Sequence, residues 1–511
     1  MKGARICPMS TVSRDRAESP FILSLDIGTS SVRAAIFDRL GRAIEDLEAR
    51  ERHEIRTTKE GASETDADAL LERVWRCMDE VLDRMGHLKD QLRGVGGCTF
   101  VGNILGIDGD RRAITPLTTY ADTRSEGEVV KLRAEFDETV VHDRTGCHFH
   151  PAYLPAFFRW SARNQKELLY RVSRWVSIGE YLELKLFGDA GVSFSVASWS
   201  GLLDRHKLAW DEPLLNVLPV RMEQLSRLTD SNTPRQGLVP RFAARWPTLR
   251  DLPWFPALGD GATANVGSGC VSSSRVALTA GTTTAMRAVV DHSIIHIPSG
   301  LWCYRVDGKR SLPGGALSEG GSVFAWMKDV LQLGDPAGIE KALAPMEPDA
   351  HGLTVLPFLA GERSPGLAGH ARGTVHGLSQ ATTSLDILRA GLESVAYRIA
   401  LVVELLRPLL PAEPRIVASG GALLSSPTWL NIMTDVFNRP VAVSEVPEAS
   451  GRGAALLALE ALGVIPDLEK APDFIGQIHY PDERRHERYR VAMERQRNLY
   501  EKLVKNSPDI V

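Results

Sequence analysis

The stretch Leu23–Asp38, LSLDIGTSSVRAAIFD, has a near copy at Val276–Asp291, VALTAGTTTAMRAVVD, about half the chain away. Aligned without gaps, the two share Leu, Gly, Thr, Ala and Asp at five equivalent positions. Each copy runs from an apolar strand through a Gly-Thr turn into a second apolar strand. Such a turn offers backbone N–H groups and hydroxyls to an anion. A repeat at this offset predicts a duplicated unit, with two turns that grip a nucleotide's phosphates from both sides of a cleft.

The two copies differ where the first has Asp26 and the second has Thr279. Only one side supplies a carboxylate, and Mg²⁺ takes oxygen ligands from one or two carboxylates plus phosphates. A P-loop would run from strand to helix and end in Gly-Lys-Ser/Thr. Here a strand follows the turn and the lysine is missing, which argues against a P-loop NTPase. Two ordinary hairpins with Gly-Thr turns are the alternative explanation.

Length and composition indicate a globular protein of two or more domains, because a chain of 511 residues is too long to fold around a single hydrophobic core. A hydrophobic content of 43% and a net charge of −4 suggest neither nucleic acid nor an anionic membrane as a partner. No apolar run is long enough to span a bilayer. The six cysteines form no CxxC pair, so we expect reduced thiols and a cytoplasmic location. The histidines at 142, 148 and 150 lack partners at metal-ligand spacing and are interpreted as loop histidines.

The order of apolar runs and turns predicts the domain organisation. Residues 1–20 are polar and basic, and we expect a disordered tail there. Three strands in a meander are predicted over 21–57, and a helix over 66–85. Prolines and charges cluster between 245 and 257, which predicts a first lobe over 21–253 and a second over 254–511.

Several further motifs occur in an order that resembles the FGGY carbohydrate kinases, of the actin, Hsp70 and hexokinase superfamily. The resemblance implies an α/β fold of two RNase H-like lobes, with ATP and a sugar bound in the cleft between them. It covers residues from about 21 to 480. The motifs are TTYADTR (Thr118–Arg124), SFSVASWSGLLD (Ser193–Asp204), LGDGA (Leu258–Ala262), ASGGALLSSPTWLNIMTDVFNRPV (from Ala418) and EASGRGAALLA (Glu448–Ala458).

The resemblance implies that Asp260 is the catalytic base, because the family's base is the Asp of a short G-D-x-x-A motif. Phosphoryl transfer to a hydroxyl needs such a proton acceptor near the attacking oxygen; a helix N-cap is the alternative role for this Asp. The resemblance also implies that Asp26 holds Mg²⁺ through a water molecule. The residues implied to bind ATP and its phosphates are Thr29, Ser30, Gly281, Thr282, Thr283, Gly321, Gly420, Gly421 and Asn431.

The resemblance also implies a sugar pocket. Val101, Gly102 and Asn103 stand where pentulose kinases often have Q-M-H-G, and Gly261 follows the base. Tyr120, Asp122 and Arg124 match a W-x-D-x-R motif in which Tyr replaces Trp. The missing histidine weakens a xylulose assignment. Arg124 could offer a bidentate site for a substrate carboxylate, whereas a solvated salt bridge with Asp122 is the alternative.

The reaction implied is transfer of the γ-phosphate of Mg·ATP to a hydroxyl of a small open-chain sugar or sugar acid. The sequences of Ser193–Asp204 and Glu448–Ala458 look most like those of the gluconokinase branch of the family. D-gluconate, phosphorylated to 6-phosphogluconate, is therefore the expected substrate. A pentulose or polyol kinase, similar to xylulokinases and ribulokinases, is the alternative. A chaperone-like ATPase or a non-catalytic, ATP-binding regulatory protein would be an alternative of another class, but it would need neither Asp260 nor the sugar motifs. A homodimer is left open.

Overall fold

Two β-sheets, one in each half of the chain, organise the molecule in a computed structural model that describes residues 10–292 and 296–506. The first sheet has six strands, and the second has seven in line with an eighth paired to one of them. In spatial order, the first contains Thr11–Val12, Ala43–Arg52, Ser31–Phe37, Phe21–Ile27, Leu92–Thr99 and Leu258–Gly259. The second contains Val290–Asp291, Arg310–Leu317, Thr284–Ala288, Arg275–Ala280, Arg415–Ser419, Val441–Ser444 and Ile475–His479, with Trp302–Arg305 beside Arg310–Leu317.

The repeated sequence occupies the same place in both sheets. Phe21–Ile27 pairs antiparallel with Ser31–Phe37 and parallel with Leu92–Thr99. Arg275–Ala280 likewise pairs antiparallel with the next strand of its hairpin and parallel with Arg415–Ser419. The predicted duplication and the two-lobed α/β fold are therefore confirmed. The carboxyl ends of the two central strands each lead into a Gly-Thr turn.

Helices cover both sheets, and their caps follow from the sequence. The predicted helix at 66–85 is Ala67–Met85, whose N-cap Asp66 accepts a hydrogen bond from the Ala69 N–H. Thr383 and Asp386 form a reciprocal capping box at the start of Ser384–Leu406. The other helices of eight residues or more are Glu126–Glu135, Glu138–Thr145, Leu154–Asn164, Ile178–Phe187, Asp260–Gly267, Gly321–Val330, Pro336–Leu343, Pro427–Phe437, Ala449–Ala461 and Glu483–Tyr500.

The predicted tail and lobe boundary both need correction. Residues 1–9 lie outside the described residues, but Thr11–Val12 is a strand paired with Ala43 and Ile44, so the expectation of disorder is wrong from residue 10 onward. Ladder hydrogen bonds to the sheet hold this segment. Leu258–Gly259 pairs with the first sheet through Cys98 and Thr99, so that sheet extends past the predicted boundary at 253/254.

The second half also sends a helix back to the first sheet. In Ala449–Ala461, the Gly451 carbonyl accepts a hydrogen bond from the Ser24 hydroxyl, at 2.8 Å. The chain therefore crosses between the two sheets several times, and the lobes are not joined by one linker at 245–257. None of the described helices is both long enough and apolar enough to cross a membrane.

Candidate active site

The first turn of the duplicated pair is closed by its own backbone. The Gly28 N–H donates to the Ser31 carbonyl at 3.0 Å, and His53 Nε2 lies 2.9 Å from the Gly28 carbonyl oxygen. Thr29 is half-buried and Ser30 is exposed. The hydroxyl groups and N–H groups of this turn are therefore held at the surface of a cleft, where a phosphate could reach them.

The second turn is also closed by its own backbone, through a bond that spans one residue fewer. The Gly281 N–H donates to the Thr283 carbonyl at 3.0 Å, and Thr282 and Thr283 are exposed. The backbone of Gly321 is tied to this turn, because its N–H donates to the Gly281 carbonyl at 2.8 Å. Both hydroxyl turns therefore survive in the folded protein as the sequence predicts.

Four glycines meet beside the second turn: Gly281, Gly321, Gly420 and Gly421. A Cβ built on Gly420, whose φ is +98°, would collide with the Ala280 carbonyl oxygen. A Cβ on Gly321 would lie 2.6 Å from the Ala422 Cβ. By contrast, nothing lies within 4 Å of a Cβ on Gly281 or Gly421, so open space adjoins the backbone at both. Adenosine is predicted from the sequence to lie against this backbone. Asn431 is exposed, and its side chain hydrogen-bonds His479 at 3.0 Å.

Asp26 lies at the end of the central strand of the first sheet. It stands opposite Arg33 and beside Cys98, whose thiol donates to its carboxylate at 3.4 Å. Burial raises the pKa of Asp26 above its ordinary value, although the Cys98 thiol and the charges of Arg33 and Arg50 oppose the shift. A cation that approaches from the cleft would stabilise the ionised form of this buried carboxylate.

Asp260 is the first residue of helix Asp260–Gly267, directly after the last strand of the first sheet. The N-cap of this helix is Gly259, so Asp260 is not a cap residue. Its carboxylate accepts the adjacent Gly261 N–H at 2.7 Å. Burial and the negative charge of Asp26 raise its pKa to about 7, against the positive charge of Arg287. The two acids therefore share one region of the cleft.

Aromatic side chains that were not predicted from the sequence form a wall beside Asp260. Trp199 stacks on Tyr304 at 3.5 Å between ring centroids, and Tyr304 stacks on Trp302 at 4.4 Å. A Cβ on Gly259 would lie 2.8 Å from Trp199 Nε1, and one on Gly261 would lie 3.1 Å from the same ring. The glycines on both sides of Asp260 are therefore needed for Trp199 to approach. The motif Ser193–Asp204 contained this tryptophan, but nothing in its local pattern indicated a place in the cleft.

The predicted sugar residues divide into two groups. Gly102 has φ +62°, and a Cβ there would lie 2.8 Å from the Tyr120 Cβ and 3.1 Å from the Ala152 carbonyl oxygen. Val101 is buried and borders Gly259, at 2.9 Å from a Cβ built there. Tyr120 is 46% exposed, and its pKa is raised by burial and by the charge of Asp260. These three line the same space as the catalytic candidate.

Asn103, Asp122 and Arg124 are instead engaged in structural contacts. The Asn103 side chain donates to the Phe100 carbonyl and accepts the Ile178 N–H at 2.8 Å. The Arg124 guanidinium contacts both oxygens of Asp122, at 3.1 and 3.0 Å from Nε, and also pairs with Glu64. Its guanidinium lies over the Trp160 ring. These contacts favour the alternative of a salt bridge for Arg124 over the reading of a substrate carboxylate, because two acids already pair with its charge.

The family models account for almost all of this architecture. The N-terminal domain of the FGGY family of carbohydrate kinases matches residues 21–267, and the C-terminal domain of that family matches residues 276–462. The chain belongs to the FGGY family of carbohydrate kinases. It is thus a phosphotransferase that acts on a carbohydrate. This excludes the alternative of a chaperone-like ATPase.

Individual FGGY relatives resemble the chain over nearly its whole length. A gluconokinase of Bacillus subtilis (strain 168) is 27% identical over 486 residues, 93% of this chain and 94% of that protein. Two solved structures from Lactobacillus acidophilus, a ligand-bound xylulose kinase and a gluconate kinase, each have a TM-score of 0.89 and 22% identity and cover 96% of this chain. They cover 100% and 99% of those chains. At this identity the two structures establish the fold alone.

Proposed function

We propose that this FGGY kinase transfers the γ-phosphate of ATP to the terminal hydroxyl of an open-chain sugar acid, with D-gluconate as the candidate substrate. The observation that carries the chemistry is the placement of Asp260 beside the aromatic wall and opposite Asp26. The gluconokinase relative supports the choice of substrate. The sequence Phe100-Val101-Gly102-Asn103 supports it further, because the histidine often found there in pentulose kinases is missing.

Asp260 is proposed to accept the proton of the attacking hydroxyl. A pKa of about 7 keeps a large fraction of the carboxyl ionised at neutral pH while leaving it basic enough to take the proton. Thr29, Ser30, Thr282 and Thr283 are proposed to hold phosphate oxygens from the two sides of the cleft. Arg287 lies close to Asp260 and offers positive charge where charge moves during transfer.

The acids of the cleft fit a magnesium ion. Burial raises the pKa of both Asp26 and Asp260, and the charge of Asp26 also raises that of Asp260. Two carboxylates that repel one another favour a hard cation with oxygen ligands. Asp26 would hold this ion, and the bound ion would neutralise charge on the phosphates. Gly281 and Gly421 adjoin the open space proposed for adenosine, and Gly321 and Gly420 let the backbone pack closely beside it. Asn431 remains a proposed contact to the nucleotide.

The substrate is tested by ADP release, measured with a coupled assay over D-gluconate, D-xylulose, D-ribulose, glycerol, erythritol and a pentitol. We expect the highest kcat/KM for D-gluconate and a product phosphorylated at its terminal hydroxyl, as shown by ³¹P NMR. A pentulose or neutral polyol with the highest kcat/KM would replace gluconate by the second candidate. ADP release that no carbohydrate stimulates would contradict the proposed reaction itself.

A further inference from the structure

Asp26 and Arg33 stand opposite one another in the first hairpin. They are paired residues of the antiparallel strands Phe21–Ile27 and Ser31–Phe37, so their side chains project from the same face of the sheet. Both line one cavity of about 90 Å³, whose other wall is the start of helix Ala449–Ala461. Opposite charges placed in this way attract one another. From the register alone, an ion pair between the two side chains would therefore be expected.

The folded chain holds this pair apart. Within residues 10–292 and 296–506, Arg33 forms an ion pair with Glu448 and none with Asp26. Asp26 accepts a hydrogen bond from the Cys98 thiol at 3.4 Å, and no other side chain in the described part of the molecule donates to it. A thiol is a weak donor, so the Asp26 carboxylate keeps most of its capacity to bind a cation.

The other arginines near Asp26 are not in competition for it. Arg452 also lines the cavity, but its buried guanidinium donates to three carbonyl oxygens, at 2.9, 2.5 and 2.5 Å. Arg50 is exposed, and the strand that carries Arg33 separates it from Asp26 in the sheet. Arg33 is therefore the guanidinium whose position decides whether the Asp26 carboxylate is free.

Glu448 is placed near Asp26 by the helix that it precedes. It is the N-cap residue of Ala449–Ala461. This helix lies on the sheet face that carries Asp26, because Ser24, two residues earlier on the same strand, donates its hydroxyl proton to the Gly451 carbonyl at 2.8 Å. Packing of the helix on the sheet thus fixes the place of the acid that engages Arg33.

We propose that Glu448 is a positioning residue for the magnesium site, because its pairing with Arg33 keeps that guanidinium off Asp26 and leaves the carboxylate to the cation. This inference rests on the proposed function, in which Asp26 holds Mg²⁺. An arginine and a divalent cation use the same carboxylate oxygens, so they compete for them. Without Glu448, Arg33 would pair with the carboxylate opposite it. Glu448 acts through Arg33 and is not itself a ligand of the ion.

The test measures binding of Mn²⁺, a paramagnetic substitute for Mg²⁺ at oxygen ligands, to the full chain saturated with a non-hydrolysable ATP analogue, by electron paramagnetic resonance. Glu448→Gln should raise the Kd for Mn²⁺ by about tenfold, because the ion must then displace Arg33 from Asp26. Arg33→Gln together with Glu448→Gln should return the Kd to within about threefold of the wild-type value, since the competitor is gone. A double variant that binds Mn²⁺ as weakly as Glu448→Gln would overturn the inference.

Glu460→Gln is the matched control, because Glu460 lies on the same helix and forms its own ion pair with Arg310, at 2.6 Å. It should leave the Kd for Mn²⁺ unchanged. A loss equal to that in Glu448→Gln would overturn the inference, since any disturbance of the helix would then weaken the site.

Asp26→Asn separates this inference from the proposed function. If Asp26→Asn leaves Mn²⁺ binding unchanged, Asp26 does not hold the metal, and both the proposed metal site and the role of Glu448 fail. If Asp26→Asn weakens binding and Glu448→Gln does not, the role of Glu448 alone fails.

A crystal structure of Glu448→Gln tests the same point without a second substitution. We expect the Arg33 guanidinium to lie within hydrogen-bond distance of an Asp26 oxygen in this variant. In steady-state kinetics, the Mg²⁺ concentration that gives half the maximal rate should rise, while KM for the sugar should stay unchanged. An Arg33 side chain that remains away from Asp26 in the crystal would overturn the inference.

Discussion

At the scale of single residues, Asp260 and Asp26 determine how the reaction should depend on pH. Burial and the charge of Asp26 raise the pKa of Asp260 to about 7, far above that of an ordinary aspartate. The proposed base works only when ionised, so activity should be lost as the pH falls through this value. We expect kcat/KM for the sugar to show an acid limb above the pH of an ordinary aspartate, with about a tenfold loss for each further unit of acidity. A cation on Asp26 cancels the charge that raises this pKa, so the limb should move from near pH 7 to lower pH as Mg²⁺ binds. A limb near pH 4 would show that a solvated carboxylate governs the reaction.

Gly421 offers a second test at this scale, because the structure has room for a side chain there. Gly421→Val should leave thermal stability close to that of the wild type, since nothing lies within 4 Å of the added Cβ. The branched side chain would occupy the space proposed for adenosine, so KM for ATP should rise while KM for the sugar changes little. Initial-rate kinetics with each substrate varied in turn measure this. Equal changes in both KM values would point to a structural role for the glycine.

At the scale of elements, two helices that are remote in sequence fix the position of Asp260. Helix Asp260–Gly267 packs so closely on Ala449–Ala461 that a Cβ on Gly453 would collide with the Thr263 carbonyl oxygen. Gly453→Ala should therefore displace the helix that carries the base. We expect about 1–3 kcal/mol of lost stability from overpacking, together with a lower kcat. Chemical denaturation and steady-state kinetics measure the two effects.

Gly451 provides the matched control on the same helix. A Cβ there would make ordinary contacts of 3.6 Å with Phe37 and the Ser24 hydroxyl. Alanine also favours a helix over glycine, by about 1 kcal/mol. Gly451→Ala should therefore preserve kcat and stability. If Gly453→Ala behaved in the same way as this control, the tight packing of the two helices would not be what holds Asp260.

At the scale of the whole molecule, the open cleft implies a movement on binding. Ser30, Thr282 and Thr283 are exposed, so water reaches the proposed phosphate site. A kinase that excludes water during transfer must close this space. Small-angle scattering should show a smaller radius of gyration with D-gluconate plus a non-hydrolysable ATP analogue than with either alone. An unchanged radius at saturating ligand would contradict closure.

The duplicated turn made the two-sheet architecture predictable, because strand order follows from hairpins and the parallel strands beside them. Asp260 was predictable from a short motif whose neighbours, Gly259 and Gly261, are explained by the close approach of Trp199. The ion pair between Arg124 and Glu64 was not predictable, because Glu64 is remote in sequence and only the fold brings the two together.

The central claim is that Asp260 accepts the proton of the sugar hydroxyl, and Asp260→Asn tests it most directly. The measurement is kcat with D-gluconate, or with whichever carbohydrate the substrate panel shows to be best, at saturating Mg·ATP. Removal of the base should lower kcat by about 10² to 10⁴. Thermal stability should not fall, because the change relieves the repulsion between Asp260 and Asp26, and calorimetry should show that the sugar still binds. A folded Asp260→Asn enzyme with near-normal kcat would contradict the account.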